Sequence, residues 1–257
     1  MRYAIMSDVH SNPVALALAL KDAKERMCRR FLMLGDTTGY GYDVKESIKL
    51  VRKNFDVVLI GNHDSVCIGR ESDQGLRKYQ NYKTDMEQGE SLTEEEKKWL
   101  ASCPFTIEEE GALFSHGNFI EPESWGYVGT PREVEANFHR SPARLMFCGH
   151  THQATAWEEK DGKIVQRMFF KTPATRLELK PFRPKKDCRY IINVGSVGYP
   201  RNDLCATYVI WDTETNCISF RRIPFDFKGY IKEMLTRKLD LPEWLFEIIT
   251  VSLNKKV

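Results

Sequence analysis

The chain holds only six histidines, and five of them fall just beyond short apolar runs, in company with Asp, Asn and Gly. The segments are Ser7-Asp8-Val9-His10, Gly35-Asp36, Gly61-Asn62-His63-Asp64, Ser115-His116-Gly117-Asn118 and Gly149-His150-Thr151-His152. Imidazole nitrogens with carboxylate and amide oxygens, and no thiolate, suit divalent first-row cations, Mn first with Fe, Zn or Co beside it, over Mg or Ca. The donors are Asp8, His10, Asp36, Asn62, His116, His150 and His152, more than one ion takes. Two ions roughly 3.5–4 Å apart that share a carboxylate would use them all, activate a water at neutral pH and clamp a phosphoryl oxygen. Phosphoester hydrolysis is the chemistry such a set implies. His139, near the end of REVEANFH, reads as a surface residue of a helix.

Donors so far apart in sequence need a scaffold that gathers them. Short apolar runs recur at Tyr3–Met6, Phe31–Leu34, Val57–Ile60, Ala112–Phe114, Leu145–Cys148, Tyr190–Val194 and Thr207–Trp211, and read as buried strands. Between the first three, Asn12-Pro13 and the pair Asp43/Glu46 open helices, so the chain begins βαβαβ and implies parallel pairing. Thr93/Glu96 and Thr130-Pro131/Glu133 start two more helices, and WEEKDGKIVQRMFF, with Asp161-Gly162 at its turn, reads as a hairpin. Ligands of parallel α/β sheets lie beyond the carboxyl ends of the strands, so five donor-bearing ends converge on one crevice. The i, i+2 pairs Asp8/His10 and His150/His152 would project to one side of an extended backbone.

Bulk properties narrow the setting. With 257 residues, 42% hydrophobic and 29% charged, the chain can bury a core, and no run approaches the roughly 18 apolar residues of a membrane span. A formal net charge of +2 and no Lys/Arg-rich stripe argue against nucleic-acid or membrane partners. Seven scattered cysteines without a C-x-x-C pair, and no signal-peptide pattern, point to a reducing, cytoplasmic setting. No linker marks a boundary, so a single domain over 1–257 is expected, with a helical extension at about 228–257. The polar segment 65–110 reads as a solvated helical excursion; its place directly after His63 keeps open a part in shaping a cleft.

The ordered blocks D-x-H, G-D, G-N-H-D, H-G and G-H-T-H resemble those of the calcineurin-like metallophosphoesterase superfamily, in order from about residue 3 to 211. The resemblance implies an α/β fold, a four-layer α/β/β/α sandwich with two mixed β-sheets flanked by helices. It implies Asp8, His10 and His152 on one metal, Asn62, His116 and His150 on the other, and Asp36 bridging. It also implies that His63 binds no metal and faces the substrate, where an imidazole with an ordinary pKa near 6.5 suits a general acid. Asp64 is expected to orient His63. The Ser/Thr protein phosphatases of the superfamily read G-D-x-x-D-R-G and G-N-H-E, whereas this chain has Gly39 and Tyr40 in place of that Asp and Arg, and Asp64 after His63.

SDVHSN, GDTTGYG, GNHD and INVGSVGYPRN look more like the small bacterial phosphodiesterase-type members, with Val194 where those usually carry Pro. In the last block Arg201 is expected to grip a substrate phosphate, since a guanidinium can hold two oxygens. The expected substrate is a small-molecule phosphoester, a nucleotide among the options. A non-catalytic scaffold of the same fold and a nuclease are the alternatives; the complete donor set speaks against the first and the charge balance against the second.

Overall fold

A computed structural model of the chain describes residues 1–70, 82–169, 180–201 and 204–239. The opening βαβαβ is β1 (Arg2–Met6), α1 (Pro13–Glu25), β2 (Arg30–Met33), α2 (Val44–Asn54) and β3 (Val57–Val58), with β1, β2 and β3 parallel. After it come α3 (Asn62–Cys67), α4 (Tyr82–Ser91) and α5 (Glu94–Ser102), then β4 (Thr106–Glu109) and β5 (Ala112–Ser115). The rest is α6 (Pro131–Arg140), β6 (Leu145–Cys148), β7 (Thr155–Lys160), β8 (Lys163–Phe169), β9 (Arg189–Asn193), β10 (Cys205–Asp212), β11 (Cys217–Pro224) and α7 (Phe227–Thr236). The helical run expected from Pro242 onward lies outside the described residues.

Two mixed sheets result, in strand orders β11-β10-β1-β2-β3 and β4-β5-β6-β9-β7-β8. Period-two alternation decides which side chain enters which layer. Tyr3 and Ile5 of β1, with Leu145 and Phe147 of β6, fill the core between the sheets, while Ala4 and Met6 face α1 and α2, and Met146 and Cys148 face α6. The four-layer α/β/β/α sandwich expected from the motifs is therefore the fold observed.

Aromatic packing fixes one sheet against the other. Phe114 stacks on Phe147 with ring centres 5.1 Å apart, Phe147 meets Trp211 at 5.4 Å, and Trp211 meets Tyr3 at 5.2 Å. These buried rings bridge strands of both sheets, so the carboxyl ends of β1 and β2 are held in constant relation to those of β5 and β6.

The helix starts follow the sequence signals. Asn12, Asp43, Thr93 and Thr130 each accept a main-chain N–H with the side chain, and Thr93/Glu96 and Thr130/Glu133 complete capping boxes. The Asp161-Gly162 hairpin forms as expected, both residues adopting positive φ. A second such hairpin, β4 to β5 through Glu110 (φ 51°) and Gly111 (φ 72°), falls in the stretch expected to be a helical excursion. Among the described residues, no helix is long and apolar enough to cross a membrane.

Candidate metal and catalytic site

All seven donors lie at one end of the sandwich, where β1 and β2 of one sheet and β5 and β6 of the other run out. The pairs do not project from extended backbone as their spacing implied. Asp8 (φ 56°), His10 (48°), Asp36 (55°), His150 (65°) and His152 (58°) all adopt left-handed backbone beyond their strands. Asp and His tolerate that region better than most residues, but each still costs on the order of 1–3 kcal/mol, which the surrounding structure must offset. Close approach fixes the glycines: a Cβ on Gly61 would lie 2.1 Å from Asp36 Oδ1, and one on Gly149 would lie 2.0 Å from Ser7 Oγ.

Each buried carboxylate divides its labour. Asp8 Oδ2 accepts the His150 N–H at 3.0 Å, and Asp36 Oδ1 accepts the His63 N–H at 2.9 Å, tying one motif to the next. Their other oxygens, Asp8 Oδ1 and Asp36 Oδ2, are buried and have no hydrogen-bond donor among the described residues. Asp36 Oδ2 lies 3.7 Å from His10 Nε2 and 3.2 Å from His116 Nε2, so it faces both groups of histidines.

The imidazoles are oriented by main-chain carbonyls. Nδ1 of His10 meets Thr38 O at 2.9 Å, Nδ1 of His116 meets Leu34 O at 2.9 Å, and Nδ1 of His152 meets Tyr199 O at 2.7 Å. A carbonyl only accepts, so each Nδ1 carries the proton and donates it. In neutral rings this leaves Nε2 as a lone pair pointing inward. The Nε2 atoms of the neutral His10 and His152 consequently face one another at 2.9 Å, while His116, a protonated ring, donates from Nε2 to Asn62 Oδ1 at 3.1 Å. Two buried acceptors facing each other, as His10 and His152 do, are held together by positive charge between them.

Electrostatics agree. Burial pushes the imidazole of His10 down to about 4 and that of His150 to about 3, and with the nearby Arg201 charge also lowers His152, so these rings are neutral at pH 7. Burial alone would raise the two carboxyls, but the imidazoles of His152 and His10 around Asp8, and of His116 and His63 around Asp36, hold both below the usual carboxylate range. His116 resists burial because the Asp36 charge outweighs it and raises the ring to about 9. Neutral His10, His150 and His152 beside ionised Asp8 and Asp36 are the protonation states that cation ligands require, and a cation in place of the proton on His116 would complete them. Three groups of donors could hold an ion: Asp8, His10 and His152; Asp36, His116 and His150; and His10, Asp36 and His63. The residues present thus fit metal ions, with Asn62 adjoining the second group.

His63 is positioned differently from the expectation. Its Nδ1 lies 2.7 Å from Asp85 Oδ2, a residue of α4 that sequence reasoning left in the solvated excursion. Asp64 does not touch the imidazole: its oxygens accept from the main-chain N–H of Gly61, Thr37 and Thr38 and from Thr38 Oγ1, at 2.9–3.3 Å. Asp64 therefore braces the loop after β2 against α3, and Asp85 orients His63. Burial lowers His63, yet the charges of Asp85 and Asp36 overcome it and raise the ring to about 9. Gly39, where the protein phosphatases carry Asp, leaves this space open, since a Cβ there would sit 2.7 Å from His63 Nδ1.

Helix α4 does more. Gln88 is buried; its Oε1 accepts from Ser11 Oγ and Gly39 N, and its Nε2 donates to Gly41 O, all at 2.8–2.9 Å. The tyrosines near the glycines pack together: Tyr40 stacks on Tyr199 at 4.5 Å, and Tyr42 on Tyr230 at 4.8 Å. Arg201 is half-buried beside this wall, its N–H 3.5 Å from His152 O. His139 sits exposed on α6, away from the cluster.

The sequence over residues 1–216 matches the model of the calcineurin-like phosphoesterase superfamily domain. An uncharacterized protein of Methanocaldococcus jannaschii is 32% identical over 249 residues, 95% of each chain. The crystal structure of a metallophosphoesterase from Sphaerobacter thermophilus superposes with a TM-score of 0.78 at 31% identity, covering 95% of both chains. A hypothetical protein of Pyrococcus horikoshii shares the fold, with a TM-score of 0.68 at 19% identity over 96% of each chain.

Proposed function

The chain belongs to the calcineurin-like phosphoesterase superfamily, and from that premise we propose that it hydrolyses a small-molecule phosphoester, as a phosphodiesterase or phosphatase, with two divalent cations. The observation that carries the proposal is the face-to-face arrangement of lone pairs, His10 Nε2 against His152 Nε2 at 2.9 Å, beside the unpartnered oxygens Asp8 Oδ1 and Asp36 Oδ2. Asp8, His10 and His152 would hold one ion, Asn62, His116 and His150 the other, with Asp36 Oδ2 between them. Bound there, the cations supply an activated water at neutral pH and a clamp on the phosphoryl oxygens; Mn is the first candidate, then Fe, Zn or Co.

The chain's own groups do the rest. With Nδ1 tied to Asp85, His63 can present only Nε2 to a leaving oxygen, and its ring stands edge-on 4.9 Å from that of His10. A proton held at that atom goes to the departing alkoxide. Arg201, two residues beyond Tyr199, would pair with a phosphate oxygen. Closure of the Tyr40–Tyr199 stack over His10 excludes water from that side, which strengthens each charge interaction within.

The test is turnover of phosphomonoesters, a chromogenic phosphodiester, cyclic nucleotides and dinucleoside polyphosphates with Mn²⁺ added, before and after removal of metal by a chelator. Hydrolysis of at least one class, abolished by the chelator and restored by Mn²⁺, is expected. Turnover indifferent to the chelator, or none across the panel with metals bound, overturns the proposal.

A further inference from the structure

Beyond the second donor group the protein surface is aromatic. Tyr127 lies parallel to the His150 ring, centres 4.3 Å apart and planes 11° from parallel, while the residue itself remains 44% exposed. Trp125, half-buried, stands edge-on to His116 at 6.0 Å and is backed by Phe105 at 5.5 Å, over which the Arg70 guanidinium sits at 5.2 Å. Two large rings are thus seated against imidazoles of the metal-facing histidines, at the solvent boundary. A large apolar surface left in water beside a buried polar cluster is a feature of a binding site.

The backbone is bent to put them there. Trp125 has φ 56° and ψ 32° at the end of a short 3₁₀ turn, Pro122–Ser124. For a bulky side chain this left-handed conformation is uncommon. Glu110, Asp161 and Asn216, which also have positive φ, lie in turns between paired strands, where such angles close the hairpin. Trp125 instead ends the 3₁₀ turn, its main-chain N–H reaching Pro122 O at 3.4 Å, and this turn sets its ring between those of His116 and Phe105.

Rigid rings with few rotatable bonds make contact area at low entropic cost, and the face of a base or aryl group stacks on them whatever its sequence of heteroatoms. We infer that Trp125 and Tyr127 form a stacking subsite for a planar aromatic leaving group of the phosphoester, a nucleoside base foremost, on the side of His116 and His150. The inference rests on the phosphoesterase reading above, because it uses the metal-facing histidines to place the phosphate. Arg70 stiffens the wall from behind by holding Phe105.

The experiment is calorimetric binding of adenosine 5′-monophosphate, ribose 5-phosphate and inorganic phosphate to the Mn²⁺-loaded full chain, which needs no turnover. The wild type is expected to bind the nucleotide roughly tenfold more tightly than ribose 5-phosphate, the range of one base stacked on one aromatic ring. Tyr127→Leu and Trp125→Leu should each bring that ratio down severalfold toward unity, and Tyr127→Phe should keep it. Ribose 5-phosphate binding by the variants reports that they are folded. Equal affinity for the two sugar phosphates in the wild type, or a ratio unchanged in both leucine variants, overturns the subsite while leaving the phosphoesterase reading intact. Binding of none of the three ligands counts against both.

Discussion

The two halves of the donor cluster differ in what surrounds them. Around Asp8, His10 and His152 the protein is closed: His10 is wholly buried, edge-on to Tyr40 at 4.5 Å, with the Tyr40–Tyr199 stack behind. The loop that carries Tyr40 is pinned from outside by Gln88 and, through Ser11, by Tyr230, whose hydroxyl donates to Ser11 O at 2.9 Å. Around Asn62, His116 and His150 the cluster opens, with Asn62 half-buried and Tyr127 and Trp125 reaching solvent. One half is a clamped seat and the other a mouth, and Asp36 Oδ2 joins them. The open half is the side from which a substrate would enter, while His63 and Arg201 stand beside the closed half.

The largest effect should come from the residue common to both halves. Asp36→Asn removes the shared charge and is expected to lose both ions and to cut turnover by more than the roughly 100-fold typical of an outer-sphere change, as read by metal analysis and by hydrolysis of the panel substrate. The halves separate in single-histidine variants. His150→Ala should release the ion of the open half and His152→Ala that of the closed half, each leaving about one ion per chain. The spin-coupled spectrum of a Mn pair should vanish in both; loss of both ions from His150→Ala alone would deny that the halves are distinct.

A smaller effect is expected from the groups that touch no ion. His63→Gln should keep the metals and slow turnover about 10²–10⁴-fold, the usual range for a general acid. Asp85→Asn should slow it about 10–100-fold, mostly in kcat and with KM little changed; retention of full kcat would remove Asp85 from the account. The smallest lies at the far end of the sandwich, where Arg221 and Tyr208 donate to Asp22 at 2.6–2.9 Å. Burial pulls this carboxyl up, but those partners hold it below its ordinary value. Its contribution to stability is thus present above the ordinary Asp pKa, near 3.9, and is lost as pH falls through the lower folded value. Asp22→Asn should cost about 1–2 kcal/mol at neutral pH in denaturant melts, flatten the acid limb below about pH 4, and leave turnover unchanged.

Much of this was readable from the chain. Apolar runs with capping signals gave β1-α1-β2-α2-β3, the Asp161-Gly162 turn gave β7-β8, and the donors named from the sequence are those the strand ends bring together. The hairpin at Glu110-Gly111 escaped because Glu rarely occupies left-handed backbone, so the pair lacks the Asp-Gly or Asn-Gly signal. Asp85 and Gln88 escaped for another reason. Their partners, His63 and Gly39, are 22 and 49 residues away, and a buried polar contact leaves no hydrophobic periodicity to read. Asp64, adjacent in sequence to His63, was the plausible orienting group by proximity, yet the start of α3 turns its carboxylate toward Gly61, Thr37 and Thr38 instead. Tyr127 and Trp125 carry no motif at all; only their seats against His150 and His116 mark them.

The central claim is that opposed lone pairs and unpartnered carboxylate oxygens make two adjoining cation seats. Elemental analysis of the full chain, loaded with Mn²⁺ and then desalted, tests it most directly. The account predicts about two ions per chain in the wild type and about one in His150→Ala. A wild type that turns over substrate at full rate with a single ion, or with none, would contradict it.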